Sequence, residues 1–115
     1  MKIENIKFKA KRLDGKGWAI GDLLHSYENG AIIVPIEGGG AFSVDHSTVC
    51  QFTGMKDKNG APIYEGDIVM HKDNNAERRG DINWDSKAAA FCFGQDFLVH
   101  YHSEDMVVVG NKFDK

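Results

Sequence analysis

Residues 51–69 read QFTGMKDKNGAPIYEGDIV, and this stretch decides the fold class. Asn59-Gly60 tolerates the positive φ angles of a tight hairpin, and Asp57 is placed to cap that turn through a side-chain oxygen. Gly66 allows a kink, and Asp67 is placed to hold the bend by accepting a backbone N–H. The stretch therefore predicts a hairpin followed by a bend. These residues are interpreted as specifying a fold, with a direct binding role as the alternative.

The remainder of the chain also consists of short strands between turn signals. Turns are predicted where Gly, Asn and Asp cluster, at 14–17, 28–30, 38–40 and 57–60. The apolar and alternating segments between them number about eight to ten, and none carries a sustained helical stripe. The sequence therefore predicts a mainly β protein of short antiparallel strands, built as a barrel, a sandwich or a pair of β-subdomains.

Four local predictions are specific enough to test against the structure. Asp45 is placed as the N-cap of one helical turn over 45–49. The polar segment 72–80 is predicted to be a loop. A hairpin is predicted over 81–93, and a strand over 97–102.

Length and composition describe an ordinary folded protein. The chain has 115 residues, of which 42% are hydrophobic and 27% charged, enough for a core without metal or disulfide staples. We expect one domain over 1–115, or two small β-subdomains at about 1–55 and 56–115. No apolar run approaches a membrane span, and the opening residues do not lead into an apolar signal core. A cytoplasmic protein is expected, with Cys50 and Cys92 as buried free thiols.

Charge is unevenly distributed along the chain. The formal charge of −3 does not indicate a general nucleic-acid binder, yet residues 1–16 carry six basic and two acidic side chains, a local charge of +4. A solvated edge strand is the simplest interpretation, because lysines on an edge block unwanted strand pairing. The alternative is an anion-binding or nucleic-acid surface formed by Lys7, Lys9, Lys11 and Arg12.

The 51–69 stretch resembles the YopX family, which comprises small proteins of bacteriophages and prophages. The positions that carry the resemblance are Gln51, Phe52, Thr53, Gly54, Asp57, Asn59, Gly60, Ile63, Tyr64, Glu65, Gly66 and Asp67. Segments 6–10, 44–49 and 108–111 are similar to the family's opening strand, the part before the motif and the ending. Two departures are mild: Met55 stands where leucine is typical, and Ala61-Pro62 replaces a polar pair.

The resemblance implies a mainly β fold with an SH3-like barrel element, a capacity for self-association and a phage or prophage origin. It brings no established activity, and the family offers no catalytic residues to carry over. The resemblance therefore weakens enzyme hypotheses more than it supports any particular function.

No catalytic constellation emerges from the residues themselves. Cys50 has His46 four residues upstream, but nothing around the pair orients a base towards a nucleophile. His100, His102 and Glu104 would share one face of a strand and are weak candidates for a metal site. An exposed polar strand face is the favoured interpretation of these three. The sequence therefore predicts no enzyme, no metal and no cofactor.

Aromatic side chains are the remaining candidates for a binding surface, because SH3-like barrels often use them to hold peptides or stack bases. Trp84 lies between Asn83 and Asp85, and this polar setting makes it the aromatic most expected at the surface. The favoured function is a non-enzymatic phage or prophage accessory protein that binds itself or another protein. A nucleic-acid-binding module using the basic first strand is the alternative, and no membrane partner is expected.

Overall fold

The computed structural model describes residues 2–26, 30–74 and 76–114 as eleven short strands and four single 3-10 turns. The prediction of a mainly β fold is confirmed. The strands are β1 (Phe8–Lys11), β2 (Trp18–Ser26), β3 (Gly30–Val34), β4 (Phe42–Ser43), β5 (Cys50–Lys56), β6 (Pro62–Tyr64), β7 (Asp67–Lys72), β8 (Glu77–Asp85), β9 (Ala90–Phe93), β10 (Asp96–Phe97) and β11 (Met106–Asn111). The part of the chain that the structure describes has no helix long and apolar enough to cross a membrane.

The strands form two antiparallel sheets. One has the order β4-β3-β2-β1-β5-β6, and the other has the order β10-β9-β8-β7-β11. An isolated bridge also pairs Arg12 with Val44. Neither sheet closes into a barrel within residues 2–26, 30–74 and 76–114, so the SH3-like barrel element is not confirmed.

The chain divides into two compact units, Met1–Phe52 and Thr53–Lys115, and the division falls within β5. Each unit has its own hydrophobic cluster, because alternate residues of each strand face the interior. The cluster of the first unit contains Ala10, Ala19, Ala31, Ile33 and Val44. The cluster of the second unit contains Ile63, Val69, Ile82, Phe93, Leu98 and Met106.

β1 is an internal strand of its sheet. It pairs with β2, where Ala10 opposes Ala19, and with β5, where Phe8 opposes Gln51. Phe8 packs against the first cluster, of which Ala10 is part, so the lysines that alternate with them project to the other side of the strand. The prediction of a basic edge strand is therefore wrong. The local alternation correctly indicated a strand, but strand neighbours depend on the whole sheet.

The predicted turns are confirmed where they can be checked. Asp45 caps the 3-10 turn His46–Thr48, and its carboxylate accepts hydrogen bonds from the Ser47 N–H at 3.0 Å and the Ser47 hydroxyl at 2.7 Å. The hairpin of β8 and β9 is also observed, with Asp85 opposite Ala90. Residues 28 and 29 of one predicted hairpin lie outside the described residues.

Two local predictions are wrong. The segment predicted as a loop includes the start of β8, where Glu77 opposes Lys72 and Arg79 opposes Met70 of β7. These polar residues form a strand because β7 supplies backbone partners, which the local sequence does not reveal. The strand predicted over 97–102 ends at Phe97 and gives way to the 3-10 turn Leu98–His100.

Asp57 ties the turn of the 51–69 stretch to the last strand of the second sheet. Its Oδ1 accepts hydrogen bonds from two N–H groups in turn 59–61, and its Oδ2 accepts one from the Val108 N–H, all at 2.9 Å. The neighbouring Lys58 N–H donates to the Met106 carbonyl at 2.9 Å. Because β11 is an edge strand, these bonds occupy polar groups that would otherwise be free to pair with another chain.

Asp67 ties the following bend to the end of the same strand. Its Oδ2 accepts a hydrogen bond from the Tyr64 N–H at 2.8 Å, and its Oδ1 accepts one from the Asn111 side-chain amide at 3.0 Å. Gly66, between them, has a φ of +88°, a conformation that favours glycine. The Lys112 N–H donates to the Gly66 carbonyl at 2.8 Å. The predicted capping roles of Asp57 and Asp67 are both confirmed.

Replacing Asp57 with Asn should lower the free energy of unfolding by about 2–3 kcal/mol, because a neutral amide cannot replace a carboxylate that accepts several backbone hydrogen bonds. Burial disfavours the charged form of Asp57, but the hydrogen bonds from Val108, Ala61 and Asn59 outweigh it and lower the pKa. The stabilisation is therefore complete above the unfolded-state pKa of about 4 and is lost as the pH falls through the lower folded-state pKa. Urea unfolding of the wild type and of Asp57→Asn over a pH series measures the difference in their free energies of unfolding. A difference that does not shrink in acid contradicts this account.

Replacing Ala89 with Gly should raise the free energy of unfolding by about 1 kcal/mol, because Ala89 has a φ of +53° in the turn between β8 and β9. Glycine adopts this conformation without the Cβ clash. Ala88→Gly is the matched control, since Ala88 has no positive φ and gains only backbone freedom in the unfolded chain. Chemical denaturation of both variants tests the expectation, and equal effects at the two positions would refute it.

Candidate functional site

An apolar groove in the second unit is the leading candidate for a binding site. It has a volume of about 240 Å³, enough for one or two side chains and small for a cofactor. Its lining consists of Thr53, Met55, Ala90, Phe91, Phe97, Leu98 and Val99. We call this set of residues the apolar groove.

Several large apolar side chains at the groove are exposed to solvent. Val99 is 81% exposed and Phe97 is 40% exposed. Trp84 is 46% exposed and contacts Phe91 edge-on, with ring centroids 5.0 Å apart. Exposed aromatic and aliphatic groups beside a concave apolar surface are typical of protein-binding sites. The predicted exposure of Trp84 is confirmed, whereas the sequence analysis missed the groove beside it.

The segment that forms one wall of the groove is anchored by a polar cluster. Arg78 on β8 donates from Nη1 to the Asp96 carboxylate and to the Tyr101 hydroxyl, each at 2.6 Å. Tyr101 in turn donates to Asp96 at 2.7 Å, and its ring packs edge-on against Phe93. Asp96 and Tyr101 flank residues 97–100, so the cluster holds both ends of the segment that carries the exposed groove residues.

Electrostatics in this cluster follow from the shared carboxylate. The pKa of Asp96 is lowered chiefly by the hydrogen bond that it accepts from Tyr101, followed by the hydrogen bond that it accepts from Arg78. The same bond to Asp96 raises the pKa of Tyr101, because ionisation of the phenol would remove the proton that it donates. The cluster is therefore fully formed at neutral pH and weakens as Asp96 becomes protonated in acid. Its geometry positions the wall of the apolar groove.

Replacing Asp96 with Asn should increase amide hydrogen exchange across residues 98–101, where the Tyr101 N–H donates to the Leu98 carbonyl, because Arg78 then loses its charged partner. Glu104→Gln is the control, since Glu104 is exposed and outside the cluster. Hydrogen exchange followed by mass spectrometry resolves this segment. Unchanged exchange in Asp96→Asn, or an equal increase in the control, would show that the cluster does not hold the wall.

The lysines of the first strand and its flank form a row beside aromatic rings. The Lys9 and Lys11 ammonium groups lie 4.7 and 5.7 Å from the Trp18 ring centroid, and the Lys7 ammonium lies 4.6 Å from the Phe52 centroid. The pairing of β1 with β2 places Lys11 opposite Trp18. We call Lys7, Lys9 and Lys11 the lysine row.

The other predicted surface residues are not part of this row. Arg12 stacks over Phe42, with its guanidinium carbon 4.1 Å from the ring centroid, and forms an ion pair with Asp14 at 2.5 Å. Trp84 belongs to the second unit and to the surroundings of the apolar groove. The predicted surface therefore separates into the lysine row, an internally paired arginine and a tryptophan of the other unit.

The weak metal candidates do not form a site. His100 closes a 3-10 turn, and His102 precedes another, so the strand face expected for them is absent. The His102 Nδ1 lies 3.8 Å from the Glu104 Oε1, with both side chains strongly exposed. No group of three His, Cys, Asp or Glu that could hold a metal occurs among the described residues. Cys50 and Cys92 are both buried, as expected.

Six of the twelve positions of the 51–69 stretch that carry the family resemblance are buried. Those that are buried are Phe52, Asp57, Ile63, Tyr64, Gly66 and Asp67; Thr53 and Glu65 are half-buried, and Gln51, Gly54, Asn59 and Gly60 are exposed. Thr53 also donates from its hydroxyl to the Ile63 carbonyl at 2.7 Å and lines the apolar groove. Met55, the departure from the usual leucine, lines the groove as well.

Comparison with known proteins identifies the family. A search of curated proteins finds no match to this chain. The family model described as YopX protein matches residues 7–115, nearly the whole chain. The protein therefore belongs to the YopX family.

Proposed function

We propose that this YopX-family protein is a non-enzymatic binding module that associates with protein through the apolar groove, and that its first partner is a second copy of itself. The observation that supports this proposal most directly is that Val99 is 81% exposed and lines the apolar groove. A protruding side chain and a depression on one surface are self-complementary. A twofold axis through such a surface pairs each copy's Val99 with the other copy's groove.

The exposed apolar side chains of this surface supply a driving force for association. Burying an exposed valine or phenylalanine side chain contributes about 1.5–3 kcal/mol, and twofold symmetry applies each contact twice. Phe97 and Trp84 add aromatic area with few rotatable bonds, which keeps the entropic cost of association small. The polar cluster of Arg78, Asp96 and Tyr101 supports this role, since a preformed wall loses little freedom on binding.

The proposal also includes an SH3-like element in the first sheet, a cytoplasmic location and a phage or prophage origin. The bridge between Arg12 and Val44 supports an SH3-like curl of the first sheet, because it connects the end of β4 back to the end of β1. The proposal places the protein in the cytoplasm, where buried cysteines such as Cys92 stay reduced. The family resemblance supports a role as an accessory protein of a phage or prophage.

Replacing Val99 with Asp should abolish self-association without loss of stability, because Val99 is strongly exposed and its side chain contributes little to the core. Light scattering coupled to gel filtration, over a wide range of protein concentrations, measures the mass of wild type and variant. The matched control is Leu13→Asp, which places the same charge at a position that is 60% exposed in the first unit. We expect a concentration-dependent dimer for the wild type and the control, and a monomer for Val99→Asp.

Two results would contradict the proposal. A wild type that remains monomeric at the highest concentration has no self-association for the groove to mediate. A dimer that survives Val99→Asp but dissociates in Leu13→Asp uses a different surface. Circular dichroism of each variant establishes that it is folded, so that a change in mass reports on association.

A further inference from the structure

We infer that the first unit carries a second binding site, for single-stranded nucleic acid, on the face of β1 and β2 that bears the lysine row and Trp18. The site is independent of the apolar groove, since all its residues belong to the first unit. It consists of Lys7, Lys9, Lys11, Trp18, Ile20, Pro35 and Ile36.

The position of β1 removes the simplest structural explanation for these lysines. Lysines on an edge strand prevent pairing with other chains, but β1 has strand neighbours on both sides. Lys9 and Lys11 in this internal strand, and Lys7 directly before it, occupy alternate positions about 7 Å apart and project from the same face. This is a linear array of positive charge in a protein whose formal charge is −3. Its nearest chemical complement is a chain of regularly spaced anions.

Trp18 gives the array a ring on which a base can stack. It is half-buried, and Lys9 and Lys11 hold their ammonium groups over the ring, 4.7 and 5.7 Å from its centroid, so a base stacks on the part of the ring that the two lysines leave uncovered. Phosphate and base are adjacent in every nucleotide, and a site for a single strand needs cation and ring at matching separation. The register provides this, because Lys11 opposes Trp18 and Lys9 opposes Ile20.

A second depression continues the surface next to the lysine row. It has a volume of about 350 Å³ and is lined by Lys7, Ile20, Pro35, Ile36 and Glu37. Ile20 is 48% exposed and Ile36 is 62% exposed, so the depression offers apolar area to a flat ring beside a cation. Trp18 and Ile20 are two residues apart on β2 and share one face of the strand. Together they form a platform long enough for neighbouring bases.

Two acidic side chains lie beside the platform, near Lys7. Glu37 lines the depression beside Lys7, and Asp22 is exposed on β2 next to Gly21, which opposes Phe8. The ammonium groups of the lysine row contact the phosphates, and the apolar side of the depression takes an uncharged part of a nucleotide.

The chemistry favours a single strand over a duplex or an acidic peptide. A duplex hides its base faces within the stack and would use only the lysines, leaving Trp18, Ile20 and Ile36 without a role. An acidic peptide supplies carboxylates but no flat rings to cover the exposed isoleucines. A single strand uses the cations and the apolar platform together.

The test is binding of a fluorescein-labelled oligothymidylate of about 16 nucleotides, the upper site size for a small β domain, followed by anisotropy as salt is raised from about 50 to about 200 mM. Contacts to three phosphates predict a slope of log K against log salt near −2, at about −0.7 per contact. Substituting Gln for Lys7, Lys9 and Lys11 should weaken binding at least about tenfold and flatten the slope. The control substitutes Gln for Lys56, Lys58 and Lys87, removing equal charge from exposed positions of the second unit.

A second readout tests the role of Trp18 without altering any residue of the site. Trp84→Phe leaves Trp18 as the sole tryptophan, because the chain contains two. Stacking of a base on Trp18 should quench its fluorescence with the same concentration dependence as the anisotropy signal. This readout needs no substitution in the lysine row, so it applies even if the lysine variant does not fold.

Four outcomes would overturn the inference. One is an absence of binding at the lowest salt, and another is binding that the lysine-row and control variants weaken equally. A third is a duplex that binds as tightly as the single strand with Trp18 unquenched, which would indicate contact with phosphates alone. The fourth is complete competition by polyglutamate at equal charge, which would assign the row to acidic proteins.

Discussion

Asp57 and Asp67 connect the hairpin and bend of the 51–69 stretch to β11, about forty to fifty residues later in the chain, and the second sheet depends on these connections. A buried carboxylate is costly unless several donors surround it, and each of these has backbone or amide N–H groups in place. The pairing of β11 with β7 is thereby reinforced from outside the ladder. Part of the edge of β11 is also covered, which limits pairing with other chains.

The apolar groove is built on this sheet and on a segment that has little regular structure. Residues 97–100 comprise the second residue of the two-residue strand β10 and a single 3-10 turn, so backbone pairing alone holds them weakly. Arg78, on β8, supplies the missing restraint through its contacts with Asp96 and Tyr101. Exposed apolar groups on a restrained segment suit recognition, because restraint reduces the freedom lost when a partner binds.

The first unit combines charge and apolar area in a different way. Its lysine row projects from an internal strand, beside a tryptophan and two exposed isoleucines. Net charge is a poor guide to such a surface, because acidic residues elsewhere cancel the row in the sum while its local field remains. The proposed groove for protein and the proposed platform for a single strand thus rest on different chemistry and different residues.

The sequence by itself determined most of the strands and turns and the capping carboxylates of this protein, together with its family. Alternation and glycine-containing turns are local signals, and Asp45, Asp57 and Asp67 cap residues close to them in the chain. The sequence did not reveal that Asp57 also binds Val108, that β1 is internal, that residues 77–80 are part of a strand, or that residues 97–99 form a wall of the groove. Only the tertiary structure decided these, because each depends on a partner distant in the chain. A β-strand's neighbours and its exposed face are properties of the assembled sheet, whereas a turn is a property of its own few residues.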